Sequence, residues 1–214
     1  MINFNQLDED NIQQRLAVNR HLHQDERFNT AFLPGHPRPA AVLVPLLRAS
    51  LDDNQTVGWH VLLTKRSNHL VEHSGQVAFP GGGSEPLDST LEATALREAQ
   101  EEIGLNPQDV KVLGKLDSLI TITNFRVSPV IGVIPWPYHF RLAEGEVDRV
   151  FTIPLTWLAD PCHYEIRQRI ISHPYSYHSE NVSLSVIYYQ QYDGEVLWGV
   201  SAEITTRLLK TLSS

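Results

Sequence analysis

The sequence predicts an α/β protein, a mixed α/β/α sandwich, and three observations carry that prediction. Short apolar runs with strand composition recur along much of the chain. An amphipathic helix ending at Gly104 interrupts them, and a second apolar helical stretch follows the last of them.

Taken in order, residues before about Asn29 have polar helical character, with Leu7, Ile12, Leu16 and Val18 as an irregular apolar stripe. Pro34, Pro37 and Pro39 mark the loop that follows. Residues 1–30 are therefore expected to form a helical arm packed on a single domain spanning 31–214. Ala40 to Leu47 and His60 to Thr64 read as two strands of a hairpin, separated by the polar turn Asp52-Asp53-Asn54-Gln55. Beyond the acidic helix, Val110 to Leu116 and Val127 to Ile134 read as strands, the second stopped by Pro135-Trp136-Pro137. Phe151 to Leu155, Glu165 to Ile171 and Leu184 to Tyr189 complete the strand set, and a helix is expected from Ala202 to Leu212.

Composition bounds the function. A chain of 214 residues with 42% hydrophobic and 20% charged residues has the material for one well-packed domain and is not that of a disordered chain. A net charge of -8 argues against a broad nucleic-acid-binding face. No apolar run is long enough to span a bilayer, and no signal core follows the N-terminus, so a cytoplasmic protein without a membrane partner is expected. Cys162 is the sole cysteine, which rules out an intrachain disulfide and a thiolate zinc cluster; it reads as structural. A homodimer is an expectation with no sequence signal behind it.

The chemistry concentrates between Gly81 and Leu105. A helical turn of 100° per residue puts Glu98, Glu101 and Glu102 on one side, while Leu96, Ala99 and Ile103 form the opposite, apolar face. Ser89, three residues before Glu92, reads as the start of a capping box, and Gly104 followed by Pro107 as the stop. Three carboxylates near a helix C-terminus repel one another and the helix dipole, so a compensating cation is required. Arg97 supplies part of it from the flank. Oxygen donors favour a hard cation, Mg²⁺ or Mn²⁺, that recruits substrate phosphates to complete its shell. The preceding Pro80-Gly81-Gly82-Gly83 permits close approach of a ligand or metal. The combination points to a metal-dependent phosphate site.

The same segment resembles the Nudix box, Gly-x5-Glu-x7-Arg-Glu-U-x-Glu-Glu-x-Gly-U with U apolar. Arg97-Glu98-Ala99-Gln100-Glu101-Glu102-Ile103-Gly104-Leu105 matches its second half. In the first half Ser89 stands where the general pattern has Glu, while Asp88 lies five residues after Gly82, leaving one extra residue before Arg97. A coenzyme A pyrophosphatase-like branch has similar spacing and an upstream LLTxRS…G…FPGG pattern, matched here by Leu62 to Ser67, Gly75 and Phe79 to Gly82. Val71 departs from it, standing where that branch has Arg.

The resemblance implies a Nudix-type α/β/α sandwich with a mixed sheet, and metal-dependent hydrolysis of a small nucleotide substrate. Coenzyme A or acyl-coenzyme A leads, giving adenosine 3′,5′-bisphosphate and 4′-phosphopantetheine or its acylated form. ADP-ribose, dinucleotides or nucleoside triphosphates are the alternative substrates, and a non-catalytic nucleotide-binding domain is the alternative class. The i,i+4 pair Glu98 and Glu102 is assigned to the metal, with Glu101 as further ligand or proton acceptor and Arg97 orienting the cluster. Gly82 offers a carbonyl to the metal, while Gly81, Lys65 and Arg66 face substrate phosphates. Glu146, in an acidic turn with Glu144 and Asp148 around Gly145, ranks beside Glu101 as general base. His163, His173 and His178 fit no metal spacing and are assigned no chemistry, and Tyr175, Tyr177 and Trp198 read as core before ligand pocket.

Overall fold

The computed structural model describes residues 4–18, 35–51, 56–68, 74–172 and 181–214, the side chains of residues 171, 172, 181 and 182 excepted. In chain order the elements are α1 (Glu9–Val18), β1 (Arg38–Ser50), β2 (Val57–Arg66), β3 (Val77–Ala78), β4 (Gly81–Gly83) and α2 (Leu91–Ile103). Then follow β5 (Lys111–Lys115), β6 (Leu119–Ile120), β7 (Phe125–Val133), β8 (Val147–Pro154) and the short α3 (Leu155–Leu158). β9 (Tyr164–Ser172), β10 (Asn181–Tyr192), β11 (Glu195–Trp198) and α4 (Gly199–Ser213) close the chain. The strands anticipated from composition are all present, most of them longer than expected. The Asp52-Gln55 turn, Pro34, Val71, His173, Tyr175, Tyr177 and His178 lie outside the described residues.

β1 is the axis of the main sheet. It runs antiparallel to β2, pairing Leu46 with Val61 and Ser50 with Val57, and parallel to β7 from Arg38 opposite Phe125 to Leu46 opposite Val133. That one parallel pairing, enforced by the α2 crossover between β1 and β7, makes the sheet mixed. β8 adds antiparallel to the outer side of β2, β5 and β6 add to β7, and β4 pairs with β1 at Ala40 to Val42. A second sheet has the order β11-β10-β9.

Side-chain alternation along β1 explains the layering. Ala40, Val44 and Leu46 enter one apolar cluster, and Ala41, Leu43 and Leu47 enter another on the opposite face. A strand buried on both sides reads as a continuous apolar run, which is how it appears in the sequence. The second cluster is closed by Ala95, Ala99 and Ile103 of α2; the first takes Ile12 and Leu16 of α1 and Ile204, Leu208 and Leu212 of α4. These are the three layers of a sandwich. Arg15 of α1 donates to the Leu212 carbonyl of α4 at 2.7 Å, and Trp59 Nε1 donates to the Leu7 carbonyl at 2.7 Å. Of the expected N-terminal stripe, Val18 fails: it is 72% exposed, because it lies at the helix end beyond the arc set by Ile12 and Leu16. No helix among the described residues is long and apolar enough to cross a membrane.

The N-terminal helix is thus held by two fully buried side chains. Ile12→Ala leaves a cavity between α1 and the sheet, and is expected to lower unfolding free energy by about 2–5 kcal/mol in a urea titration. Val18→Ala, on the same helix but exposed, is expected to leave it within about 0.5 kcal/mol.

Candidate active site

The helix that carries the acidic residues begins one residue later than the sequence suggests. Thr90, not Ser89, is the N-cap: its backbone is extended, and its side-chain oxygen accepts from Ala93 N at 3.0 Å. The capping-box partner fails with it, since Ala93 now occupies the third helical position and the Glu92 carboxylate lies 3.7 Å from Lys115 Nζ. The C-terminal stop stands as read, with Gly104 in the left-handed conformation at φ 66. Only glycine fits there for a second reason, since an added Cβ would meet the Arg141 backbone at 3.0–3.1 Å. The loop after β7 seals this helix end, Arg141 N donating to the Ile103 carbonyl and Ala143 N to that of Glu102.

The glycines bring the strand layer against the helix. Gly81 approaches β1 so closely that a Cβ would lie 2.5 Å from the Ala41 carbonyl oxygen, and one on Gly82 would lie 2.6 Å from the Glu98 carboxylate. Gly81 N donates to Glu102 Oε2 at 3.3 Å. Two carboxylates from successive turns of α2 therefore converge on two adjacent glycines.

Arg97 organises the rest. Its Nε and Nη2 grip both oxygens of Asp88, Nη2 also reaches the Gly83 carbonyl and Glu98, and Nη1 reaches Glu101 at 2.9 Å. Asp88 further accepts from the Glu85 amide and the Thr94 hydroxyl. These bonds, the Arg97 pairing first, hold the Asp88 carboxyl well below the usual carboxylate range and raise the Arg97 guanidinium above its own. Asp88, apparent in the sequence only as a spacing departure, is the anchor of the cluster's arginine.

The three glutamates do not share one environment. Glu101 is exposed at 58% and turned toward Arg97, Glu98 is half-buried, and Glu102 is buried. Burial raises the Glu98 pKa despite Arg97 beside it. Burial likewise pushes Glu102 up to about 7, against the opposing pull of Arg66, 3.8 Å away, and the Gly81 amide; the Glu98 and Glu146 charges add to the rise. Among the described residues two cations, Arg97 and Arg66, stand against four carboxylates here, Asp88, Glu98, Glu101 and Glu102. Among the described residues no group of three His, Cys, Asp or Glu side chains is gathered as a metal cage.

The other sequence candidates separate. Arg66 comes to Glu102, and its buried Nε has no hydrogen-bond partner among the described residues. Lys65 points away to Glu195 of β11 at 3.0 Å, an ion pair shared with Arg149 of β8. Glu144, Glu146 and Asp148 are exposed; Glu146 lies on the sealing loop close enough to influence Glu102, while Asp148 accepts from Asn68. Trp198 stacks on Tyr188 at 5.5 Å and His163 on Trp157 at 4.3 Å, packing roles in both cases. Cys162 is exposed on a short turn and adds nothing to the core. Glu195 and Arg149 had no signal in the sequence, because Arg149 reaches Lys65 through the pairing of β8 with β2 and Glu195 reaches it from β11 of the second sheet.

Comparison with known proteins follows the same segment. Residues 37–173 match the NUDIX domain model. The chain belongs to the Nudix family. It is 39% identical over 174 residues, 80% of this chain and 81% of the relative, to an uncharacterized Nudix hydrolase NudL of Enterobacter sp. (strain 638). It is 39% identical over 171 residues to the NudL of Salmonella paratyphi B, with the same coverage. Among solved structures, a Nudix hydrolase from M. smegmatis, RenU, aligns at a TM-score of 0.46 and 22% identity over 59% of this chain and 76% of that one. This chain is accordingly a Nudix hydrolase, from a family that generally uses divalent metal ions.

The Glu102 environment makes a signed prediction. A carboxyl protonated in the fold up to about pH 7 but ordinarily titrating at 4.5 stabilises the metal-free protein below pH 4.5, and that stability is lost as pH rises toward 7. Glu102→Gln is expected to flatten this loss, so the difference in Tm between variant and wild type should change across pH 4.5–7 and level off above it. A difference independent of pH would show that Glu102 is not the group responsible.

Proposed function

We propose that this Nudix hydrolase cleaves a nucleoside diphosphate-linked substrate with Mg²⁺ or Mn²⁺, coenzyme A or an acyl-coenzyme A being the leading candidates. The observation that carries this reading is the convergence of Glu98 and Glu102 on Gly81 and Gly82 with their pKa values raised by burial. An under-compensated acidic pair with all-oxygen donors suits a hard cation, and two carboxylates leave room for phosphate oxygens in its shell. The space that a Cβ on Gly82 would fill supports the same use.

In this reading Glu98 and Glu102 hold the metal, helped by the Gly82 carbonyl; Glu101, turned to Arg97, joins as a further ligand only by leaving it. When bound, the metal ion screens the charge that builds on the phosphate oxygens and lowers the pKa of water. Arg97, fixed by Asp88, keeps the Glu98 carboxylate in place. Arg66, close to Glu102 and with a nitrogen unpartnered, binds a substrate phosphate as a charged donor alongside the Gly81 backbone. Lys65 joins it only by leaving Glu195. Glu146 accepts the proton of the attacking water; a new P–O bond forms and the bridging P–O bond breaks. Glu101 is the less suited base, because Arg97 already holds it.

The coenzyme A assignment is supported by the Leu62 to Ser67 and Phe79 to Gly82 motifs, which lie on β2 and at the glycine strand beside the site. Cleavage of coenzyme A, acyl-coenzyme A, ADP-ribose and diadenosine substrates with Mg²⁺ or Mn²⁺, products identified by mass, tests it. Adenosine 3′,5′-bisphosphate from coenzyme A at a higher kcat/KM than ADP-ribose cleavage is expected; the reverse order overturns the substrate, and no cleavage of any overturns the activity. Glu98→Gln is expected to lower kcat at least about 100-fold on every substrate while leaving Tm nearly unchanged.

A further inference from the structure

A cavity of about 540 Å³ lies against β8, lined by four consecutive residues of that strand, Arg149 to Thr152, with Leu62 of the paired β2, Trp136 and Tyr192 among its walls. Consecutive strand residues point to opposite faces, so a cavity touching all four straddles the strand's edge. Among the described residues β8 pairs with β2 alone. Alternate N–H and C=O groups on its other edge therefore face the cavity as ready donors and acceptors.

The aromatic walls are held in place. Trp136 is 41% exposed, and Phe140 leans on it at 6.4 Å between centroids. Tyr192 packs edge-on to Trp157 at 4.9 Å. Arg149, at the rim, is tied to Asp193 and Glu195. The lower end of β8 is in the active site, for Val147 pairs with Arg66, which faces Glu102. At a rise of about 3.3 Å per residue, Arg149 to Thr152 lie ~7–17 Å further along, the distance a nucleoside covers from its phosphate to its base.

We propose that this groove receives the nucleobase of the substrate, its ring stacked against Trp136 and its polar edge read by the backbone of β8. The inference rests on the reading that the substrate is a nucleotide, and adds where the base goes. A strand edge offers paired donors and acceptors that match the hydrogen-bonding edge of a base, and an exposed indole offers the π-face; an extended amide arm uses the first but has no need of the second.

The test compares Trp136→Ala and Trp136→Phe with wild type. For ADP-ribose or coenzyme A, Trp136→Ala is expected to raise KM on the order of tenfold or more with kcat within about twofold, Trp136→Phe recovering most of the loss. KM for a dialkyl diphosphate that lacks a base should not change. Independently of turnover, AMP added to the metal-free wild-type protein should quench tryptophan fluorescence, and Trp136→Phe should abolish the quenching. An unchanged nucleotide KM in Trp136→Ala, an equal rise for the base-free diphosphate, or quenching that survives Trp136→Phe would each overturn the proposal, the second pointing to the diphosphate or an amide arm instead. Glu98→Gln separates the two readings. Full activity in that variant removes the metal assignment and leaves the groove standing, whereas an inactive Glu98→Gln beside a kinetically silent Trp136→Ala removes the groove alone.

Discussion

Arg97 binds oxygens of Asp88, Gly83, Glu98 and Glu101 with one planar guanidinium, and the order of the acidic helix end depends on that grip. Carboxylates one turn apart near a helix C-terminus repel each other and the dipole. Arg97 offsets this for Asp88, Glu98 and Glu101, and does not reach Glu102. The carboxylate left short of a counter-charge is the most buried of the three glutamates, Glu102, whose cationic partner among the described residues, Arg66, stands 3.8 Å away. Removing the guanidinium would take one bond from the Gly83 carbonyl and leave Asp88, Glu98 and Glu101 without their shared cation. A lysine could not replace it, since a single ammonium lacks the fork that holds Asp88 by both oxygens.

The sandwich exists to set that grip against the glycines. β1 is buried on both faces and carries β4 on one edge, so Gly81 and Gly82 are fixed by the strand, while α2 is pressed on the same strand through Ala95, Ala99 and Ile103. Small residues on the helix face and glycines on the strand permit the approach, and larger ones at either would push the carboxylates out of reach. The loop after β7 closes the helix end by backbone bonds to Ile103 and Glu102, delivers Glu146, and leads into β8. The same path connects the acidic cluster to the groove beside Trp136.

Much of this was legible in the chain because it is local. The buried strands declare themselves as apolar runs, the amphipathic helix by its period, and its end by Gly104, whose left-handed backbone glycine adopts without strain. The helix start lies one residue beyond Ser89 because Ser89 and Thr90 are both good caps, and it is the Thr90 side chain that accepts from Ala93 N. Helical geometry likewise put Glu98, Glu101 and Glu102 on one side, yet could not rank them, because what Glu102 meets, Gly81 and Arg66, comes from other segments of the fold and not from the helix itself.

The sequence by itself determined the α/β class, the acidic helix with its glycine loop, and membership of the Nudix family, since periodicity and short-range spacing are written in neighbouring residues. Only tertiary structure decided that Lys65 turns to Glu195 while Arg66 turns to Glu102, because adjacent residues on a strand point to opposite faces and the partners come from distant segments. It alone decided that Asp88 anchors Arg97, that Glu102 is the carboxylate short of a counter-charge, and that β8, paired among the described residues with β2, lines a cavity beside Trp136. Burial and strand order are properties of the assembled layers, and no window of the chain contains them.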